Sequence, residues 1–185
     1  MADLLGGRIT RERYTALLFN LHALYEAMEA GLMQGQADPA IGMLQADALR
    51  RSSVLASDLT VLRGADWRRS MGLSPAARGY VARLHDLAAA GSRALIGHAY
   101  VRYLGDLNGG QVLRRLVARV LELPDDQGTR FYDFGPPDQV AARRDALRQA
   151  LGRLPLSAGQ DDLIVEEACW AFRQHQRLFE ELKSA

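Results

Sequence analysis

Cysteine is nearly absent from this chain, and that is the first constraint. A single residue, Cys169, among 185 excludes an intrachain disulfide and any multi-cysteine zinc site. Lysine is just as scarce: Lys183 stands alone, and arginine carries the remaining positive charge. A formal net charge of +1 offers no electrostatic footprint for nucleic acid or an anionic membrane surface. No apolar run approaches membrane-spanning length, and Met1-Ala2-Asp3-Leu4-Leu5-Gly6-Gly7-Arg8 lacks the basic and apolar regions of a signal peptide. A cytoplasmic location is therefore expected. Also missing are a glycine-rich phosphate loop, a serine nucleophile elbow and a paired-carboxylate motif. The histidines His22, His85, His98 and His175 are scattered without HxxxH or ExxH spacing, so no preformed metal site is expected.

Helical periodicity is what the chain does have, and it predicts an all-α bundle spanning residues 1–185 as one domain. Thr10 caps a helix running to about Gly31 or Met33, with an apolar stripe of Tyr14, Leu17, Leu18, Leu21, Tyr25, Met28 and Leu32. Gln34 to Ile41 reads as a loop, and a second helix is expected over Leu44 to Leu62, closed by Gly64. Trp67 sits in an irregular link. Ser74-Pro75 opens a helix in the cap-then-proline order and Gly91 ends it. A long helix follows from Ser92 to Leu123, stopped by Pro124. The loop after it holds Phe131-Tyr132-Asp133-Phe134, aromatic enough to pack. Two further helices are expected from Pro137 or Asp138 to Gly152 and from Ser157 to Lys183.

The long helix contains an anomaly. Gly105, Gly109 and Gly110 interrupt it, each costing about 1 kcal/mol against alanine. Gly105 and Gly109 are one turn apart, so they share a face and leave a strip of bare backbone that something flat can approach closely. The strip also lets the helix bend. Asp106 and Arg102 lie beside it at i, i+4 spacing, which suits either a surface ion pair or a buried polar group lining a pocket. Arg144 and Arg148 are also one turn apart, a spacing that fits a carboxylate, a phosphate or simply a solvated face. Cys169, flanked by Ala168 and Trp170, reads as a core residue.

The run His98-Ala99-Tyr100-Val101-Arg102-Tyr103-Leu104-Gly105-Asp106-Leu107-Asn108-Gly109-Gly110-Gln111 resembles the signature of the biliverdin-producing heme oxygenases. Leu21-His22-Ala23-Leu24-Tyr25-Glu26-Ala27-Met28-Glu29 resembles that family's early helix. Glu166-Glu167-Ala168 through Leu178-Phe179-Glu180-Glu181-Leu182 resembles its last one. The resemblance runs from about Leu4 to the C-terminus. It implies a heme-oxygenase-like bundle that holds heme, substrate and cofactor at once, against a glycine-bent distal helix. Gly105, Gly109 and Gly110 would then meet the porphyrin. Asp106, with Arg102 and Tyr25, would hold the waters that protonate iron-bound dioxygen. Tyr100, Arg144 and Arg148 would hold the propionates, and Phe172 and Phe179 would wall the pocket. The implied reaction takes heme, dioxygen and electrons from a donor protein or reductant to biliverdin, ferrous iron and carbon monoxide.

Two departures accompany the resemblance. His175 stands where better-known members carry asparagine, so it either hydrogen-bonds there or ligates iron from the distal side. The family's proximal histidine belongs to a helix upstream of Met1, and Met1–Leu5 resembles the tail of that region. Either the start is placed too late or the chain is a short form, and the intact pattern after Met1 favours the first. The alternative function is a non-catalytic heme-binding or helical interaction protein. A thiaminase-like relative would share only the bundle, and the Gly-Asp motif argues against it.

Overall fold

A computed structural model describes residues 9–44, 47–124 and 127–184. The Met1–Leu5 stretch lies outside them. Among the described residues six long helices carry the fold: α1 (Arg11–Gln34), α2 (Ser52–Arg63), α3 (Pro75–Ala89), α4 (Leu95–Val120), α5 (Pro137–Gly152) and α6 (Gln160–Ser184). No strand is found among them. No helix is long and apolar enough to cross a membrane, again among the described residues.

The expected caps form. Thr10 accepts from the Arg13 amide at 3.2 Å and Ser74 from the Ala77 amide at 3.2 Å, satisfying first-turn donors that would otherwise go unpaired. The α1 stripe is buried throughout, and it packs on α3 along one side and α2 along another. Helix α6 lies against α4 and α3, and α4 also meets α1 and α5. Where α4 crosses α6 the backbones nearly touch. A Cβ on Gly97 would sit 2.5 Å from the Ile164 carbonyl oxygen and 2.9 Å from the Ala168 amide nitrogen. Gly97 is what permits the approach.

Three expectations need correction. The helix expected from Leu44 starts at Ser52, after a 3-10 turn over Asp47–Leu49. A tertiary contact sets that start: the Glu29 carboxylate on α1 accepts from the Arg51 and Ser52 amides, and among the described residues no side chain at the N-cap does so. Short helical turns also form where irregular chain was expected, at Pro39–Gly42 under an Asp38 cap and at Trp67–Ser70. Cys169 is exposed, not buried, because its face of α6 borders a surface groove. The aromatic loop packs as expected: Phe131, Tyr132 and Phe134 are all buried.

Candidate functional site

Helix α4 stays helical from Leu95 to Val120 despite its glycines. Those glycines do different things. Among the described residues, a Cβ on Gly105 or Gly109 would meet no heavy atom outside its own helical turn within 4 Å, so the bare strip is open. Gly110 faces the other way: its Cβ would lie 3.1 Å from the Tyr132 carbonyl oxygen, and the residue is buried against that loop. Gly110 is thus a packing glycine and not part of the open strip.

Beside Gly105 lies a cavity of about 400 Å³. Its apolar wall comes from Leu17 and Leu21 of α1, Val101 and Leu113 of α4, Phe131 of the aromatic loop, and Phe172 and Phe179 of α6. Its polar atoms are concentrated in Arg102, Asp106, His175, Tyr132 and Gln176. An apolar chamber with a few convergent polar groups is the usual form of a small-molecule site.

The polar groups form one connected chain. The Asp106 carboxylate accepts from the Tyr25 hydroxyl on one oxygen, and Arg102 Nη2 donates to both oxygens at 2.8 and 3.0 Å. Arg102 Nη1 donates to His175 Nε2, and the guanidinium lies 5.3 Å from the Tyr25 ring centroid. These side chains come from α1, α4 and α6, so the tertiary fold assembles the chain. Burial raises the pKa of Asp106, with Arg102 and the Tyr25 hydrogen bond acting against it. Burial also drives the Tyr25 pKa well up, so this hydroxyl stays a donor. Burial opposes the charge on Arg102, but Asp106, Tyr25 and Tyr80 outweigh it and the net shift is upward. His175 is pushed far below its ordinary value by burial and by the adjacent Arg102 cation, so its ring is neutral. Two buried nitrogens, Arg102 Nε and His175 Nδ1, have no hydrogen-bond partner among the described residues. Each unsatisfied group of this kind costs about 1–3 kcal/mol.

Sequence reasoning placed Asp106, Arg102, Tyr25, Gly105, Gly109, Phe172, His175 and Phe179 at the site, and the structure gathers them around this cavity and strip. Tyr100 is half-exposed and lines a neighbouring groove, which shares Val101 and Phe172 with the cavity. Arg144 lines a different cleft with Asn108 and Gln111, and its Nε donates to Asp145 at 3.3 Å. Arg148 is exposed. The structure does not bring these two arginines to the cavity. Missed from sequence were Leu17 and Leu21, which read only as core stripe, and Leu113 and Tyr132, which the fold brings to the cavity.

A second buried cluster stands behind the first. His98 is fully buried, bonded through Nδ1 to the Tyr80 hydroxyl at 3.0 Å and through Nε2 to Glu167 at 3.2 Å. Glu167 is held in turn by Arg83 through Nε at 3.0 Å and Nη2 at 2.7 Å. The Arg83 bonds and the His98 contact keep Glu167 below its usual range although burial opposes them. Burial lowers the His98 pKa to about 4 against the pull of Glu167. A neutral His98 therefore donates from Nε2 to the carboxylate and accepts from Tyr80.

Comparison with known proteins gives a consistent result. The chain matches the family described as Heme oxygenase over residues 1–181. It is 36% identical over 179 residues to heme oxygenase 1 of Nostoc sp., covering 97% of this chain and 75% of that one. It is 37% identical over 181 residues to the heme oxygenase of Porphyra purpurea, covering 98% and 77%. The crystal structure of heme oxygenase-2 from Synechocystis sp. in complex with heme and NO superposes with a TM-score of 0.96. That match is at 37% identity and covers 100% of this chain and 77% of the other.

Proposed function

The chain belongs to the heme oxygenase family, and from that premise we propose that it cleaves heme oxidatively to biliverdin, ferrous iron and carbon monoxide, using dioxygen and electrons from a donor protein or reductant. The observation that carries the reading is the open strip over Gly105 and Gly109 beside the clamped carboxylate of Asp106. The residues present fit heme. The strip admits a flat ring against backbone, the cavity wall is apolar, and the polar groups converge beside the strip with two buried nitrogens unpaired among the described residues.

Heme, when bound, supplies the iron and the porphyrin ring on which dioxygen and electrons act. The chain's own part is binding and proton handling. Phe172, Phe179, Leu17 and Leu21 would shield the ring from bulk water. Asp106 accepts three hydrogen bonds from Tyr25 and Arg102 on a group with about four acceptor positions, leaving room to hold a water. Burial raises the pKa of that carboxylate while Arg102 and the Tyr25 hydrogen bond favour its charged form, which suits a group that takes and returns a proton at a fixed point. Tyr25 and Arg102 fix its orientation. Tyr100, in the groove that shares Val101 and Phe172 with the cavity, would hold a peripheral carboxylate of the ring. Cytoplasmic location is part of this reading, supported by the lone cysteine.

The test is direct. Purified chain is given hemin, a reductant and air, with catalase present to remove free peroxide. Biliverdin by absorbance, trapped carbon monoxide and chelated ferrous iron are expected together. Hemin that stays bound and unchanged would favour the non-catalytic alternative instead.

A further inference from the structure

Resting on that reading, one residue has a role that its position alone leaves open. His175 is 7% exposed, lines the cavity, and meets Arg102 Nη1 with Nε2. A guanidinium has only donors and does not lose its protons in proteins. The nitrogen it meets must therefore be the acceptor, and the imidazole proton must sit on Nδ1. We infer that His175 is a positioning residue: a neutral Nδ1–H tautomer that anchors Arg102, and through Arg102 the Asp106 carboxylate, and is thereby withheld from iron ligation.

The surroundings hold the ring in this state. Among the described residues, Arg102 and His98 on α4 and Tyr80 on α3 are the charged or titratable groups facing it, and the Phe179 ring on its own helix packs beside it. The Tyr80 ring stands edge-on at 5.6 Å and 73°, and Phe179 at 6.4 Å and 81°. A second positive charge on His175 would face Arg102 directly and would remove the acceptor that Arg102 uses. Both effects hold the ring neutral. With Nε2 occupied by Arg102 and Nδ1 protonated, neither nitrogen presents a lone pair to a metal. The geometry makes His175 the outer anchor of the chain His175–Arg102–Asp106–Tyr25.

The tautomer is read on heme-free, 15N-histidine-labelled full chain by long-range proton–nitrogen NMR. The Nδ1–H form is expected, unchanged across about pH 5–8. An Nε2–H form, or titration within that window, overturns the inference whether or not the chain degrades heme. For the loaded protein, His175→Leu should still bind hemin and lower the biliverdin rate by about tenfold or more. His175→Asn, whose amide oxygen accepts as Nε2 does, should restore most of it. An unchanged rate in His175→Leu contradicts the role. So does a six-coordinate low-spin hemin spectrum that disappears in that variant, because it would make His175 the ligand.

Discussion

Gly105→Ala separates the open strip from an ordinary weak point in a helix. The helix keeps two glycines there at about 1 kcal/mol each, and among the described residues an added Cβ would meet nothing outside its own helical turn within 4 Å. Alanine should therefore stabilise the heme-free protein by about 1 kcal/mol, a rise in Tm of about 2–4 °C for a chain of this size. Heme binding should move in the opposite direction. A flat ring lying on the glycine backbone makes about twenty carbon contacts of ~0.1–0.2 kcal/mol each, and lifting it by 0.5–1 Å forfeits a quarter to a half of them. That is a loss of about 0.5–2 kcal/mol, or roughly 2–30-fold in Kd. Gly105→Ala/Gly109→Ala should lie at the upper end. The assay is a thermal melt of heme-free protein alongside hemin titration followed in the Soret band. Alanine variants that melt lower would show that the space is not open. Variants that melt higher and bind hemin as tightly as the parent would show that the strip is not the ligand face.

Other expectations follow from the same structure. Gly97→Ala should do the reverse of Gly105→Ala, lowering stability by about 1–3 kcal/mol or more, since its Cβ would press on the α6 backbone at 2.5 Å. Asp106→Ala should retain hemin but divert turnover from biliverdin to peroxidase-like oxidation of added guaiacol. It should also cost about 3–5 kcal/mol in urea melts, because Arg102 is left buried without its carboxylate. Unchanged biliverdin yield in that variant would remove Asp106 from the proton path. His98 has a folded pKa of about 4 below its ordinary 6.5, so the unfolded chain takes up a proton that the folded chain refuses. Its contribution is present above about pH 6.5 and is lost as pH falls toward 4, up to about 3 kcal/mol. Urea melts over that range should show the slope in the parent and a shallower one in His98→Gln.

Much of the bundle was legible because its signals are local. The Thr10 and Ser74-Pro75 caps and the α1 stripe each depend on residues within a few turns, and each forms. The start of α2 was not legible, because Glu29 caps it from another helix. At the site, Gly105 and Gly109 spacing announced a bare face. Spacing could not tell them from Gly97 or Gly110, which are glycines for close packing against α6 and the Tyr132 loop. The Arg102–Asp106 pair read equally well as a surface bridge; its burial comes from α1 and α6, which sequence does not place. The His98–Tyr80–Glu167–Arg83 cluster left no signal at all, since its members are far apart in sequence and none has a distinctive neighbour.

Single-turnover product analysis of the hemin-loaded chain tests the central claim most directly. The parent protein, supplied with reductant and dioxygen, should release carbon monoxide and biliverdin in equal amounts as heme disappears. Heme loss without carbon monoxide, or equal yields from parent and Asp106→Ala, would contradict a site in which the glycine strip seats the ring and Asp106 manages its protons.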